Sequence, residues 1–310
     1  MSVFDARDMD LAVTSNALSK RYPNGVLAVD SIDLHVPRGQ VYGLLGPNGA
    51  GKTTTLRMLV GLIRPTAGGA IVAGHDAGSS ESRRQVGALL DRFGLYPYLS
   101  GRDNLRVVAR YCGLGDTRVE LALEEVGMTR DANRRLGTYS RGMQQRIALA
   151  AVLMREPAVV ILDEPTNGLD PQGIVDMRML VREMASSGRT VLLSSHHLSE
   201  VEQVCQTVAV VNRGRLVGEG PVSELRGARS LLVKAAPLEP AARVLFALAG
   251  PDRVIRREDY LVMTLDGVPV RDISHALTSS GVDILELRQQ ERSLEEVFFE
   301  LTSRAEARSA

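Results

Sequence analysis

Along this chain the apolar positions change period several times, and each change marks an element. From 11 to 45 apolar and polar residues alternate around turns such as Tyr22-Pro23-Asn24-Gly25, which predicts antiparallel strands. From 46 to about 220, short continuous apolar runs take turns with segments of helical period. Val159-Val160-Ile161-Leu162 and Thr190-Val191-Leu192-Leu193 have the length and composition of strands in a parallel sheet covered on both faces. Charged helices are expected around 176–186 and 199–205. Val208 to Val211, then Gly214 and Leu216-Val217, predict a closing hairpin.

The turn Gly218-Glu219-Gly220-Pro221 and the polar stretch from Glu224 to Ser230 interrupt this pattern. They suggest a polar leader over 1–10, a main domain over 11–225 and an accessory domain over 226–310. In the accessory domain strands are expected at 231–233, 253–256, 260–265 and 282–288. Helices are expected at 239–249, 270–279 and 293–302. A β-α-β-β-α-β order of this length suggests a small α+β module of ferredoxin-like type.

Composition narrows the class. With 44% apolar and 24% charged residues the chain has the make-up of a soluble globular protein, and 310 residues suffice for two domains. Lys+Arg and Asp+Glu both number 37, so there is no net positive charge of the kind expected of a dedicated nucleic-acid binder. No apolar stretch approaches the ~18 residues of a membrane span, and the N-terminus has early acids and no apolar h-region. Cys112 and Cys205, the only cysteines, lie far apart and suit a reducing compartment. A cytosolic protein is expected.

The sharpest chemical signal is Gly46-Pro47-Asn48-Gly49-Ala50-Gly51-Lys52-Thr53-Thr54, between the apolar run Val41 to Leu45 and the amphipathic run Leu56 to Val60. Strand, glycine loop and helix are the context in which G-x-x-x-x-G-K-[ST] becomes a phosphate cradle. Backbone amides and the positive helix end attract the anion, Lys52 reaches the β- and γ-phosphates, and the Thr53 hydroxyl ligates Mg²⁺. Only three lysines occur, Lys20, Lys52 and Lys234, and one of them occupies this slot.

A phosphate cradle alone fits GTPases, small-molecule kinases and motor ATPases equally. Asp163-Glu164, closing the apolar run from Val159, supplies one acid to hold Mg²⁺ and a second to polarise an attacking water, or simply caps a strand end. Ser140, before Arg141-Gly142-Met143-Gln144-Gln145-Arg146 and the apolar Ile147 to Ala150, is a helix N-cap; such an end can also bind an anion.

The cradle, Ser140-x-Gly142, Asp163-Glu164-Pro165-Thr166, Gly168-Leu169-Asp170 and Ser194-Ser195-His196 follow in an order that resembles the ATP-binding cassette of ABC transporters over about residues 11–225. Ser293-Leu294-Glu295-Glu296-Val297-Phe298, Gly87 to Leu90 and Tyr96 to Gly101 resemble segments of bacterial drug, antibiotic and lantibiotic-resistance exporter cassettes. The resemblance implies a P-loop NTPase fold with an antiparallel β subdomain and a helical subdomain, and an ATPase using ATP and Mg²⁺. It further implies Tyr22 stacking on adenine, Asp163 and Glu164 as Mg²⁺ acid and catalytic base, and Ser140, Arg141, Gly142 and Met143 as the family signature. Asp170 becomes the acid of the following loop, and His196 the histidine at the γ-phosphate. His196 and His197 are adjacent on an extended segment and are expected on opposite faces, so only one meets the phosphate.

Three positions depart from the family pattern: Asp91 stands where Gln or Glu is usual as a Mg²⁺ contact, Arg141 replaces a glycine and Met143 a glutamine. The implied partners are a membrane permease and a second copy of the cassette, paired head to tail with ATP between the cradle of one and the signature of the other. The implied location is the cytoplasmic face of the membrane, with no nucleic-acid partner. A soluble cassette acting in translation or DNA repair, and a nucleotide sensor without turnover, are the competing readings.

Overall fold

The computed structural model describes residues 10–90, 94–226, 230–265, 267–290, 294–295 and 297–298. The chain divides into two compact units, Met1–Gly220 and Pro221–Ala310. The division lies ahead of the 225 boundary read from the sequence, because Val222–Arg226 form a short helix that belongs to the second unit.

In the first unit, β1 (Leu11–Arg21), β2 (Leu27–Ile32), β3 (His35–Pro37), β5 (Ala67–Val72) and β6 (His75–Asp76) form an antiparallel sheet. Its order is β2-β1-β5-β6, with β3 also paired to β1. A second sheet contains β4 (Val41–Leu45), β7 (Val86–Leu89), β8 (Val159–Asp163), β9 (Thr190–Ser195), β10 (Thr207–Asn212) and β11 (Arg215–Pro221), in the order β11-β10-β4-β9-β8-β7. From β10 to β7 every neighbouring pair is parallel. β4 and β9 are buried at every residue, as strands covered on both faces should be. β11 returns through Arg213 and Gly214, whose φ of 48° and 81° make the two-residue turn a tight hairpin requires.

One apolar cluster serves both sheets, taking Val13, Val29 and Val72 from the first and Leu44, Ile161 and Leu192 from the second. Polar groups tie the layers as well. The fully buried Tyr42 donates its hydroxyl to Glu219 on β11, which also accepts from the His35 amide at 2.9 Å and lies 3.1 Å from His35 Nδ1. Burial and the neighbouring Glu219 carboxylate hold the phenol proton well above the ordinary tyrosine range.

α1 (Lys52–Leu59) follows β4, α2 (Ser80–Gln85) precedes β7, and α3 (Gly101–Tyr111), α4 (Asp116–Glu125) and α5 (Arg141–Leu153) pack together as a helical subdomain. α6 (Pro171–Ser186) and α7 (Leu198–Val204) follow β8 and β9. Ser100, Ser140 and Asp170 cap α3, α5 and α6, each side chain accepting an amide from the first turn, a contact worth ~1 kcal/mol.

After α7 the chain buries Cys205 behind β4, and burial pushes its thiol pKa upward, whereas Cys112 is exposed. A thiolate-directed alkylating reagent should therefore add one label to the native protein, at Cys112, and two after denaturation. Peptide mass spectrometry finding Cys205 labelled as readily as Cys112 would contradict this packing.

The second unit contains α8 (Val222–Arg226), β12 (Ser230–Ala236), α9 (Leu238–Ala249), β13 (Val254–Arg256), β14 (Leu261–Thr264), α10 (Val270–Ser279) and β15 (Asp283–Gln290). Its four strands are antiparallel in the order β13-β14-β12-β15. Counted within the module this is 2-3-1-4, the ferredoxin-like arrangement of a β-α-β-β-α-β chain. Leu231, Val233, Leu245, Met263, Ile273 and Leu277 form its core. The expected helix over 293–302 falls largely outside the described residues. Within it Leu294, Glu295, Val297 and Phe298 are helical, and Leu294 and Val297 are buried.

Candidate functional site

The site gathers at the carboxyl ends of three adjacent parallel strands, β4, β9 and β8, where open α/β sheets present their binding crevice. Each strand ends and the chain turns away, leaving polar side chains and amides at the rim. After β4 the loop from Gly46 to Gly51 wraps into α1. Gly51 adopts φ 104°, and a Cβ there would lie 2.4 Å from the Ala28 carbonyl oxygen, so only glycine fits. The cleft above is lined by Asn48, Gly49, Ala50, Gly51, Lys52, Thr53 and Thr54 from this segment. Ala28, Glu164, Asn167 and His196 complete it.

Lys52 is almost buried. Its Nζ donates to the carbonyls of Gly46 (2.7 Å) and Pro47 (3.3 Å) and lies 3.3 Å from Glu164 Oε1. Thr53 Oγ1 donates to Asp163 Oδ2 at 2.7 Å. The opposite carboxylate oxygen accepts from the Ser194 hydroxyl, because the β8–β9 register sets Asp163 beside Ser194.

Glu164 is a non-glycine residue with φ 49°, a conformation that costs ~1–2 kcal/mol and must be held by its surroundings. Its amide donates to Ser194 O (3.2 Å) and Oγ (3.0 Å), and its carbonyl accepts from the Asn167 amide at 3.0 Å. The carboxylate is thereby aimed at Lys52 on one oxygen and at His196 Nδ1, 2.7 Å away, on the other. With Nδ1–H donating to the carboxylate, His196 keeps Nε2 for a phosphate or water.

The histidine pair corrects the sequence reading. His196 lines the cleft, but the two rings lie side by side with centroids 3.9 Å apart and are not on opposite faces. β9 ends at Ser195 and His197 already caps α7, so strand alternation no longer applies.

The signature residues form a separate group. Ser140 caps α5, accepting the Met143 amide at 3.3 Å, and Arg141, Gly142 and Met143 make its first turn. They meet the loop after Glu164 and do not line the cleft with Lys52: a Cβ on Gly142 would come only within 3.9 Å of Leu169 and 4.0 Å of Gly173. That chain segment has room for a side chain, and a helical glycine costs ~1 kcal/mol relative to alanine. Asp170 accepts from Gly173 N at 2.9 Å as the cap of α6. Tyr22 sits in its turn under Lys20, whose Nζ is 5.6 Å from the ring centroid, and is not among the residues lining the cleft. Asp91 lies outside the described residues.

Sequence reasoning missed Asn167, Ala28 and the partnership of Ser194 with Asp163. Asn167 follows the acid pair at short range and could have been flagged; the other two depend on strand register and long-range packing. Among the described residues no three His, Cys, Asp or Glu side chains gather into an all-protein metal site. The oxygen pair Thr53–Asp163 suits a hard cation that takes its remaining ligands from phosphate and water.

A family model described as ABC transporter matches residues 29–167. The bacitracin transport ATP-binding protein BcrA of Bacillus licheniformis is 34% identical over 94% of this chain and 98% of its own length. The daunorubicin/doxorubicin resistance ATP-binding protein DrrA of Streptomyces peucetius is 37% identical over 94% of this chain and 92% of its own. Among solved structures, CbiO1 from Clostridium perfringens, part of the transporter complex CbiONQ, aligns with TM-score 0.62 and 29% identity over 68% of this chain and 89% of its own. The cassette MJ0796, a dimer in a post-hydrolysis state with ADP and Pi, shares the fold at TM-score 0.61 and 23% identity, covering 68% of this chain and 99% of that one.

Proposed function

The chain belongs to the ABC transporter family of ATP-binding proteins and is an ATPase, and on that premise we propose that it drives export of a drug, antibiotic or related amphipathic compound. Such subunits dimerise and work with a membrane permease. One observation carries the export reading: similarity to the bacitracin and daunorubicin proteins extends over 94% of the chain. It therefore reaches well into the ferredoxin-like unit, beyond the two thirds shared with CbiO1. No described helix is long and apolar enough to cross a membrane. In the export reading the permease supplies the transmembrane path and holds the chain at the cytoplasmic face.

In this reading the backbone N–H groups of residues 48–54 and the positive end of α1 receive the β- and γ-phosphates, and Tyr22 stacks on the adenine at the open side. A phosphate chain competes with Glu164 for Lys52, turning one Glu164 oxygen from an ion pair toward water. Glu164, held by Ser194 and Asn167, then accepts the proton of the attacking water, while His196 orients it and faces the γ-phosphate. Thr53 and Asp163 would hold Mg²⁺, which when bound offsets the negative charge shared by the phosphate oxygens. Ser140, Gly142, Met143 and Asp170 serve the nucleotide of a second copy, which explains a glycine at 142 that its own chain does not crowd.

The test is to express the chain, alone and with a candidate membrane permease, in a drug-sensitive bacterial host. Tolerance of bacitracin or an anthracycline should rise only with both proteins, which should co-purify, and should vanish with Lys52→Ala. An active chain that co-purifies with ribosomes or DNA and no membrane protein would replace the export reading.

A further inference from the structure

Arg141 stands where the family's commonest signature has glycine, and its side chain turns back onto its own cassette. A Cβ built on Gly168 would fall 2.3 Å from Arg141 Nη1, 2.7 Å from Cζ and 3.3 Å from Nε, so the guanidinium occupies the space over that glycine. Among the described residues the group makes no hydrogen bond or ion pair, whereas Arg146 further along α5 is bound to Asp176 on α6.

Gly168 lies in the segment that leaves Glu164. Two successive turns build it, closed by Asn167 N to Glu164 O (3.0 Å) and Leu169 N to Thr166 O (3.2 Å). Thr166 is bonded to Glu200 on α7 and Asp170 caps α6, so both flanks of the segment are fastened. Gly168, with φ 74°, is the unfastened point between them, and glycine is the residue most free to leave such a conformation. A shift at Gly168 moves Asn167, whose amide holds the Glu164 carbonyl in its left-handed conformation.

We propose that Arg141 is a positioning residue for hydrolysis: by covering Gly168 in cis it fixes the turn that aims the Glu164 carboxylate. The contact uses the planar guanidinium as a surface, a role in which lysine is no substitute. The proposal rests on Glu164 being the base. It ties the start of the signature helix to the catalytic base of the same chain, so displacement of α5 is felt at Glu164.

The experiment compares Arg141→Ala, Arg141→Lys and Glu164→Gln in the 310-residue chain with its permease. Phosphate release and fluorescent-nucleotide binding are the readouts. Arg141→Ala should lower kcat roughly tenfold with KM for ATP nearly unchanged, less than the ~10²-fold a 1 Å misplacement can cost. Arg141→Lys should lose as much, and Arg141→Ala should add nothing in a Glu164→Gln background, since residues acting through one group are not additive. Recovery by lysine, or a raised KM, would mean that charge or nucleotide contact is the role and would overturn the proposal, as would an unchanged kcat in Arg141→Ala. If Glu164→Gln itself turned over normally, the base assignment would fail first, so the two failures are distinguishable.

Discussion

Glu164→Gln is expected to retain MgATP binding and to lose turnover by ~10²–10⁴-fold, the usual cost of removing a general base. The substitution preserves shape. The glutamine carbonyl can still accept from Lys52, and the Ser194 and Asn167 contacts go to the Glu164 backbone, so the strained conformation persists. What disappears is the proton acceptor, together with a negative charge beside the phosphate cradle. Affinity for nucleotide should therefore be equal or higher. Phosphate release at near wild-type rate from the purified variant would show that another group takes the proton.

The local parts of this site are legible in the sequence because they are contiguous. A strand, a glycine loop and a helix in succession dictate the cradle from Gly46 to Thr54, and Asp163-Glu164 closes an apolar run whose end must be a strand end. The N-cap at Ser140 is likewise readable from its own hydroxyl and the helix that follows. The ferredoxin-like order of the second unit follows from strand and helix periods alone, since its core positions recur with those periods.

Other features depend on register or on distant backbone. Ser194 reaches Asp163 only because β8 and β9 are parallel neighbours in that alignment. The placement of His196 beside His197 depends on where β9 gives way to α7. Arg141 can be recognised as a departure from a signature, but its rest on Gly168 requires the packing of α5 against the segment beyond Glu164. Tyr22 is a turn residue in sequence and in structure, and adenine stacking there rests on the family reading.

Ser140→Arg is expected to abolish ATP-dependent pairing and to reduce turnover by at least ~10²-fold, the scale of losing one preorganised anion donor. Binding of MgATP by the single chain should survive. The reason lies in the two groups that the structure keeps apart. Lys52, Thr53, Glu164 and His196 line one cleft, with Asp163 bonded to Thr53, while Ser140 and Gly142 present a capped helix end that is not part of it. The residue loses an N-cap worth ~1 kcal/mol, which is small beside the stability of a whole domain. Its main effect is to set a long cationic side chain where a second copy's nucleotide must approach. Ser140→Ala, which loses the same cap without the bulk, separates the two effects. Sedimentation in the Glu164→Gln background reads the result directly: the parent should dimerise with MgATP, and the Ser140→Arg version should stay monomeric while still binding nucleotide. A Ser140→Arg chain that pairs as readily as its parent would mean that the helix end at Ser140 does not complete the site of its neighbour.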